Sequence, residues 1–477
     1  MIRRAGARRP AAAEGSPSRA TFGQRLREAR RALGLTQDEL GRPDFTKGFI
    51  SLLEHDRARP SVTSLERIAA RLGRPVSYFL DGGETVISAK FLDVLRSRGR
   101  AELTHRRFDA ALETFGEMRR VAAGRRDSPV DLHAEVGEGE ALLGLGRLDE
   151  ARQRLQDACG HAQAAGVPSM ECRASHRLAE IESRGGRHGR AVSLYRIALE
   201  LARRLDPGGP GWPGGSESSL QGEIHLQLGT ALCRMGRLDE AADAYTAARR
   251  IFEDATQPDR VGEALYGLGS VLAQDGDYDG AMVNYERAQG LFEQHADLRL
   301  LAEVRGQAGT LLMQMGRPAD AVEHFSASLA VTQRVGDTAA ECRTLTEFAR
   351  CLNGCGDTAR AKELAERAAT RGREAGLRDE VARAQALLGR LAAAAGDLKE
   401  AQRALSAAAK HCEDSGMNVE LVTIYKDLAH VAGLAGRYKE ATGFHERAFK
   451  LLQAVRPPDI AAAVQPAAAP ASDPSSR

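Results

Sequence analysis

Gly146-Arg147-Leu148-Asp149-Glu150-Ala151 is one copy of a Gly-Arg/Asp-x-x-x-Ala signature that begins again at Gly186, Gly236, Gly276, Gly316, Gly356, Gly396 and Gly436. Successive copies stand 40, 50, 40, 40, 40, 40 and 40 residues apart, and a degenerate copy from Arg106 to Ala111 precedes the first by 40. The chain is therefore dominated by about nine repeats of one unit. Seven residues before each Gly stands a small residue, as at Gly139, Ala179, Gly309 and Gly389. Nine after comes a mostly aromatic or Leu residue, as at Phe115, Leu155, Tyr195, Tyr285 and Phe325, and twelve after usually Ala, as at Ala198, Ala248 and Ala288.

These columns predict a helical hairpin per repeat. The small residue lets helix A approach helix B, the signature Gly makes the turn between them, and the aromatic and Ala columns pack against neighbours. The pattern resembles tetratricopeptide repeats, with a period of 40 in place of the usual ~34. The resemblance implies a right-handed α-solenoid over residues 86–455. The one 50-residue spacing is accounted for by an insertion at 208–217 that holds Trp212.

Composition supports an all-α protein. Hydrophobic residues make up 43% and charged residues 28%, while aromatics at 5% with a single Trp argue against a large aromatic-rich β architecture. No run approaches the ~18 consecutive apolar residues of a membrane span, so a cytoplasmic protein without membrane contact is expected. Seven cysteines without framework spacing suit a reducing compartment. Cys351 and Cys355 read as packed thiols more readily than as metal ligands, and His133, His176 and His430 have no partner at a recognisable spacing. With no phosphate-binding Gly loop, neither an enzyme nor a cofactor or metal site is expected.

Charge is segregated. Residues 1–80 hold 16 Lys and Arg against 8 Asp and Glu, and the remainder holds 51 against 57. A basic block on an otherwise acidic chain suits contact of that block with nucleic acid. Residues 1–20, with five arginines among Ala, Gly, Ser and Pro, read as a disordered arm, and the Pro/Ala-rich 456–477 as a disordered tail.

Between the arm and the array, residues 21–82 read as five short helices. Phe22, Leu26, Ala29 and Leu33 mark the first, and Gly34 ends it. Thr36-Gln37-Asp38-Glu39 is a capping box for the second. Thr46 caps a third that buries Ile50 and Leu53, Ser61 opens a fourth over Leu65, Ile68 and Leu72, and Val76 to Leu80 forms the fifth. Thr36 to Leu40, Ile50-Ser51-Leu52-Leu53-Glu54 and Arg59-Pro60-Ser61 resemble the Cro/C1-type (XRE) helix-turn-helix family. The resemblance implies binding to a double-stranded DNA operator, with the third helix in the major groove. By position, Gln37 would hold phosphate, Thr46, Lys47, Phe49 and Ser51 would lie at the groove, and Arg57 and Arg59 would bind the flanking backbone. One such domain reads few base pairs, so a homodimer is expected.

In the array, the groove columns lie 13, 10, 6 and 3 residues before each signature Gly. They give Glu140, Glu180, Glu223, Glu263 and Glu303 first, then Arg343, Arg350, Asn353, Arg383, Arg390, Lys426 and His430. The basic half suits an anionic ligand such as a peptide carboxylate; solvated surface charge is the alternative. A helix-turn-helix domain joined to such an array resembles the peptide-pheromone regulators of quorum sensing. That resemblance implies a DNA-binding transcriptional regulator whose array senses a peptide or other ligand. A scaffold that holds a protein partner, with the N-terminal domain as adaptor, is the alternative.

Overall fold

The computed structural model describes residues 21–80, 86–122, 129–205 and 217–455. The basic arm (1–20), the insertion apart from Glu217, with its Trp212, and the tail (456–477) lie outside them. The described residues form 23 helices and no strand. Five are short: α1 (Phe22–Ala32), α2 (Gln37–Gly41), α3 (Lys47–Glu54), α4 (Val62–Arg71) and α5 (Val76–Leu80). The other eighteen are the number that nine hairpins require.

The chain divides into two compact units, Met1–Arg237 and Leu238–Arg477. The first contains α1 to α5, then α6 (Val86–Thr104), α7 (Phe108–Ala122), α8 (Pro129–Gly144), α9 (Leu148–Ala164), α10 (Pro168–Arg184), α11 (His188–Arg203) and α12 (Glu217–Arg234). The second contains α13 (Leu238–Asp254), α14 (Pro258–Asp275), α15 (Tyr278–Gln294), α16 (Leu298–Gln314), α17 (Pro318–Val335) and α18 (Thr338–Gly354). It continues with α19 (Thr358–Glu374), α20 (Arg378–Ala394), α21 (Leu398–Ser415), α22 (Asn418–Leu434) and α23 (Tyr438–Val455). Even numbers from α6 onward are A helices and odd numbers B helices.

The signature explains the hairpin. Its Gly takes a positive φ in all eight full copies, for example 75° at Gly146, which an L side chain resists. At most copies the next residue starts helix B in one of two ways, whereas Arg187 pairs back with Glu182. Asp277, Asp357 and Asp397 accept the free amide of the residue three on. Arg147, Arg317 and Arg437 instead pair with an acid three residues on, Glu150, Asp320 and Glu440. The signature Ala is sealed, with Ala151, Ala241, Ala321 and Ala401 all at 0% exposure. Gly309 shows why the small column is small: a Cβ there would stand 2.9 Å from the Phe325 ring. A second turn, from helix B to the next helix A, falls midway, at Gly166, Thr256, Ala296, Gly336, Gly376 and Gly416, all with positive φ.

Within each unit successive A helices touch, as α8 does α10 and α18 does α20, so the A helices form a close-packed layer. In the first unit the short helices do not stand apart. Leu26, Ile50, Leu65 and Phe79 share one apolar core with Phe91 and Leu95 of α6 and Phe115 of α7.

Candidate DNA interface and helix-A groove

The N-terminal domain is pinned by a buried ionic node. Arg30, at the end of α1, donates through Nε and Nη2 to Glu54 at 2.5 and 3.0 Å and through Nη1 to the Leu35 carbonyl at 2.6 Å. Gln37 Nε2 donates to the same carboxylate at 2.7 Å. Burial pushes the Glu54 carboxyl up, but Arg30 and Gln37 outweigh it and leave it below its usual range. The sequence reading has Glu54 only as the last residue of the Ile50 to Glu54 motif. The signal was its position four residues after buried Ile50, on the apolar face, where a carboxylate requires a partner.

Two further contacts fix α3. Asp56 accepts from the Thr21 hydroxyl at 2.6 Å and from the Gly23 amide at 2.8 Å. Gly23 permits the approach, since a Cβ there would lie 2.5 Å from the Glu54 carbonyl oxygen. Arg71 donates to the Leu40 and Gly41 carbonyls at 2.8 and 2.9 Å, capping α2, and pairs with Asp44 in the link to α3.

The expected DNA residues divide accordingly. Thr46 caps α3 by accepting from the Phe49 amide at 3.2 Å and is exposed. Lys47, Arg57 and Arg59 are exposed and carry no ion pair among the described residues. Phe49 is half-buried, its ring 5.5 Å from that of Phe45 and packed on the core. Ser51 is half-buried, and its carbonyl meets His55 Nδ1 at 2.7 Å. Gln37 is occupied by Glu54. The exposed side of α3 is thus Lys47, Gly48 and Leu52, of which Leu52 was not anticipated.

The groove columns are more mixed than the sequence reading gave. In the first unit Glu140 accepts from Arg173 at 2.8 Å and Arg177 at 3.2 Å. Arg173 occupies the column 13 before Gly186 and had been overlooked. Burial alone would raise Glu140, yet the two guanidiniums hold it at about 2. Glu180 pairs with Arg177 at 3.1 Å. Arg100, in the same column as Glu140, is brought down to about 10 by burial and by its neighbours Arg173 and Arg96. His176 is sealed, bonded to Gln227 at 3.1 Å and pushed down to about 3 by burial, so it is neutral at physiological pH.

In the second unit Glu263 pairs with Arg260 at 2.9 Å and Glu303 accepts from the Tyr266 hydroxyl at 3.1 Å. The arginines are paired too. Arg343 lies 3.3 Å from Glu380, Arg383 lies 3.1 Å from Glu380 and 3.3 Å from Glu420, Arg390 lies 2.6 Å from Asp427, and Arg350 lies 3.1 Å from Glu347. Asn353, Lys426 and His430 are exposed and have no side-chain partner among the described residues. Between α14 and α16 opens an uncharged hollow of about 370 Å³ lined by Ser270, Gln274, Gln307, Thr310 and Gln314. Cys351 is buried and donates to the Pro318 carbonyl at 3.2 Å. Among the described residues no group of three or more His, Cys, Asp or Glu could hold a metal, and no helix is long and apolar enough to cross a membrane.

The helix-turn-helix family model matches residues 26–79, and tetratricopeptide-repeat models match 96–168, 220–294 and 300–374. This chain is a helix-turn-helix protein with tetratricopeptide repeats. A comparison with curated proteins finds no match. Among solved structures, the apo form of the quorum sensor NprR from B. thuringiensis is similar at a TM-score of 0.56 and 12% identity, over 76% of this chain and 99% of that one. A Rap protein complexed with Competence and Sporulation Factor gives 0.52 and 13%, over 77% and 98%. Aspartyl phosphate phosphatase F from Bacillus subtilis gives 0.51 and 11%, over 78% and 96%. At these identities the likeness is one of fold.

Proposed function

We propose that this helix-turn-helix tetratricopeptide protein is a sequence-specific transcriptional regulator that binds operator DNA as a homodimer and whose array takes a peptide or other ligand that changes DNA affinity. The observation that carries the reading is the solvent side of α3, where Lys47, with Arg57 and Arg59 just beyond the helix, stands clear of any carboxylate partner among the described residues. Cations left free around a helix that fits the major groove are what phosphate positioning requires. The likeness of the array to a quorum sensor and to a Rap protein complexed with a factor supports ligand sensing. Asn353 and Lys426, which with His430 have no side-chain partner among the described residues, would contact the ligand directly; Arg343, Arg350, Arg383 and Arg390 would engage it by exchanging their present carboxylates. The apolar core shared by α1 to α5 with α6 and α7 joins the first repeat to the DNA-binding helices within the first unit.

The test is selection of duplexes from a random pool by the full chain, followed by mass spectrometry of whatever co-purifies and titration of operator with and without it. Enrichment of one sequence, with affinity shifted by the co-purified molecule, is expected. A pool that returns without enrichment overturns the regulator reading in favour of a scaffold.

A further inference from the structure

Leu52 is the large apolar side chain that α3 leaves in solvent. It is 46% exposed, while Ile50 and Leu53 beside it are at 0%. Nor does it belong to the apolar core or to the partly buried side chains packed on it. Gly48 lies four residues earlier, on the same helix face. A Cβ at Gly48 would meet nothing nearer than Thr46 Oγ1 at 3.9 Å, so the backbone here is bare. The side chains of this face therefore leave an apolar centre at Gly48 and Leu52, with Lys47 at one end and Arg57 and Arg59 beyond the other.

Resting on the DNA-binding reading above, we propose that Leu52 reads thymine in the operator through the thymine C5 methyl group. The chemistry follows from the surface. Among the groups that distinguish the bases in the major groove, the donors and acceptors of all four and the thymine methyl, only that methyl offers apolar bulk. A leucine offers no hydrogen bond and gains by covering apolar surface, so thymine is the base it favours. The bare backbone at Gly48 lets the duplex come close enough for Leu52, one turn on, to be the side chain that arrives first. The cations at both ends fix the register by holding phosphates and carry no preference among bases.

The experiment uses the full chain and the operator it selects. Each thymine in turn is replaced by deoxyuridine, which keeps the hydrogen-bonding groups and removes only the methyl. At one thymine per half-site the exchange is expected to weaken wild-type binding about fourfold, the loss for one buried methyl. Leu52→Ala is expected to lose that discrimination and bind the thymine and deoxyuridine duplexes alike; as Leu52 is exposed, the variant keeps the wild-type melting temperature. The wild-type arm stands even if the variant fails. Wild-type affinity unchanged by deoxyuridine at every thymine overturns the proposal, as does discrimination that survives in Leu52→Ala. If Leu52→Ala alters the mass in light scattering while the deoxyuridine effect persists, Leu52 is a protein contact. An operator insensitive to deoxyuridine removes only this inference, whereas failure to enrich any operator removes the regulator reading as well.

Discussion

Asp427 Oδ2 stands 2.6 Å from Arg390 Nε, 37 residues away in sequence. The same separation joins Arg343 to Glu380, Arg383 to Glu420, Tyr266 to Glu303 and Glu140 to Arg177. It is the repeat period less about one helical turn, the offset at which neighbouring A helices bring side chains together. The groove is therefore stitched by cross-repeat pairs that Arg177, Arg343, Arg383 and Arg390 serve, while Arg350 pairs with Glu347 on its own helix.

For Arg390 and Asp427 a modest coupling follows, since both are partly exposed. A double-mutant cycle of Arg390→Ala and Asp427→Asn, read by hydrogen exchange in α20 and α22, should give about 0.2 to 1 kcal/mol. Strict additivity would mean that solvent already screens the pair completely.

Arg30→Ala should behave differently, because it leaves Glu54 buried without its cation. Removing one partner of a buried pair costs about 3 to 5 kcal/mol. Protection of α1 to α4 amides should collapse while that of α20 and α22 is retained, and operator binding should fall with it. Unchanged protection in α1 to α4 would refute the role of the node.

Glu140 predicts a pH dependence. Its folded pKa, about 2, lies below the unfolded value, so its contribution is present above about pH 4.5 and is lost as pH falls toward 2. The amount is on the order of 3 kcal/mol. Denaturation of wild type and Glu140→Gln at pH 6 and pH 3, with attention to α8 and α10, should show the two converging at the lower pH. A constant gap between them would count against the linkage.

At the DNA surface, Arg57→Ala should lower affinity for all sequences alike and reduce the slope of log K against log salt by about 0.9. Lys47→Ala should weaken the operator complex. Light scattering of the complex should give two chains per operator, and a single chain both free and bound would defeat the homodimer.

For the array, Asn353→Ala and Lys426→Ala should each weaken the co-purified ligand by about 1 to 3 kcal/mol, the range for a lost hydrogen bond to a charged or buried group. Arg390→Ala should matter less, because Asp427 already holds it. Calorimetry ranks the three, and the largest loss at Arg390 would show that ligand displaces Asp427.

Much of the architecture was legible in one dimension. A helical hairpin is local: a Gly with positive φ, a small residue seven before and an aromatic nine after fall within two adjacent helices, so their spacing survives in sequence. The caps at Thr36, Thr46 and Ser61 were readable for the same reason, each acting within three residues. The turn from helix B to helix A was less visible, because Thr256 and Ala296 take the left-handed conformation without announcing it as Gly does.

The sequence by itself determined the helices, their number and their caps, because those depend on contacts a few residues apart. Only the tertiary structure decided which charges are free. Gln37 looked available until Glu54, 17 residues on, was seen to hold it, and Arg343, Arg383 and Arg390 looked like a basic groove until carboxylates from the next repeat stood beside them. Leu52 carried no assigned role in the sequence beyond its place in the helix-turn-helix motif until its face of α3 proved exposed. A charge is available, and an apolar side chain exposed, only in relation to what packs beside it, and that neighbour is set by how whole helices stack.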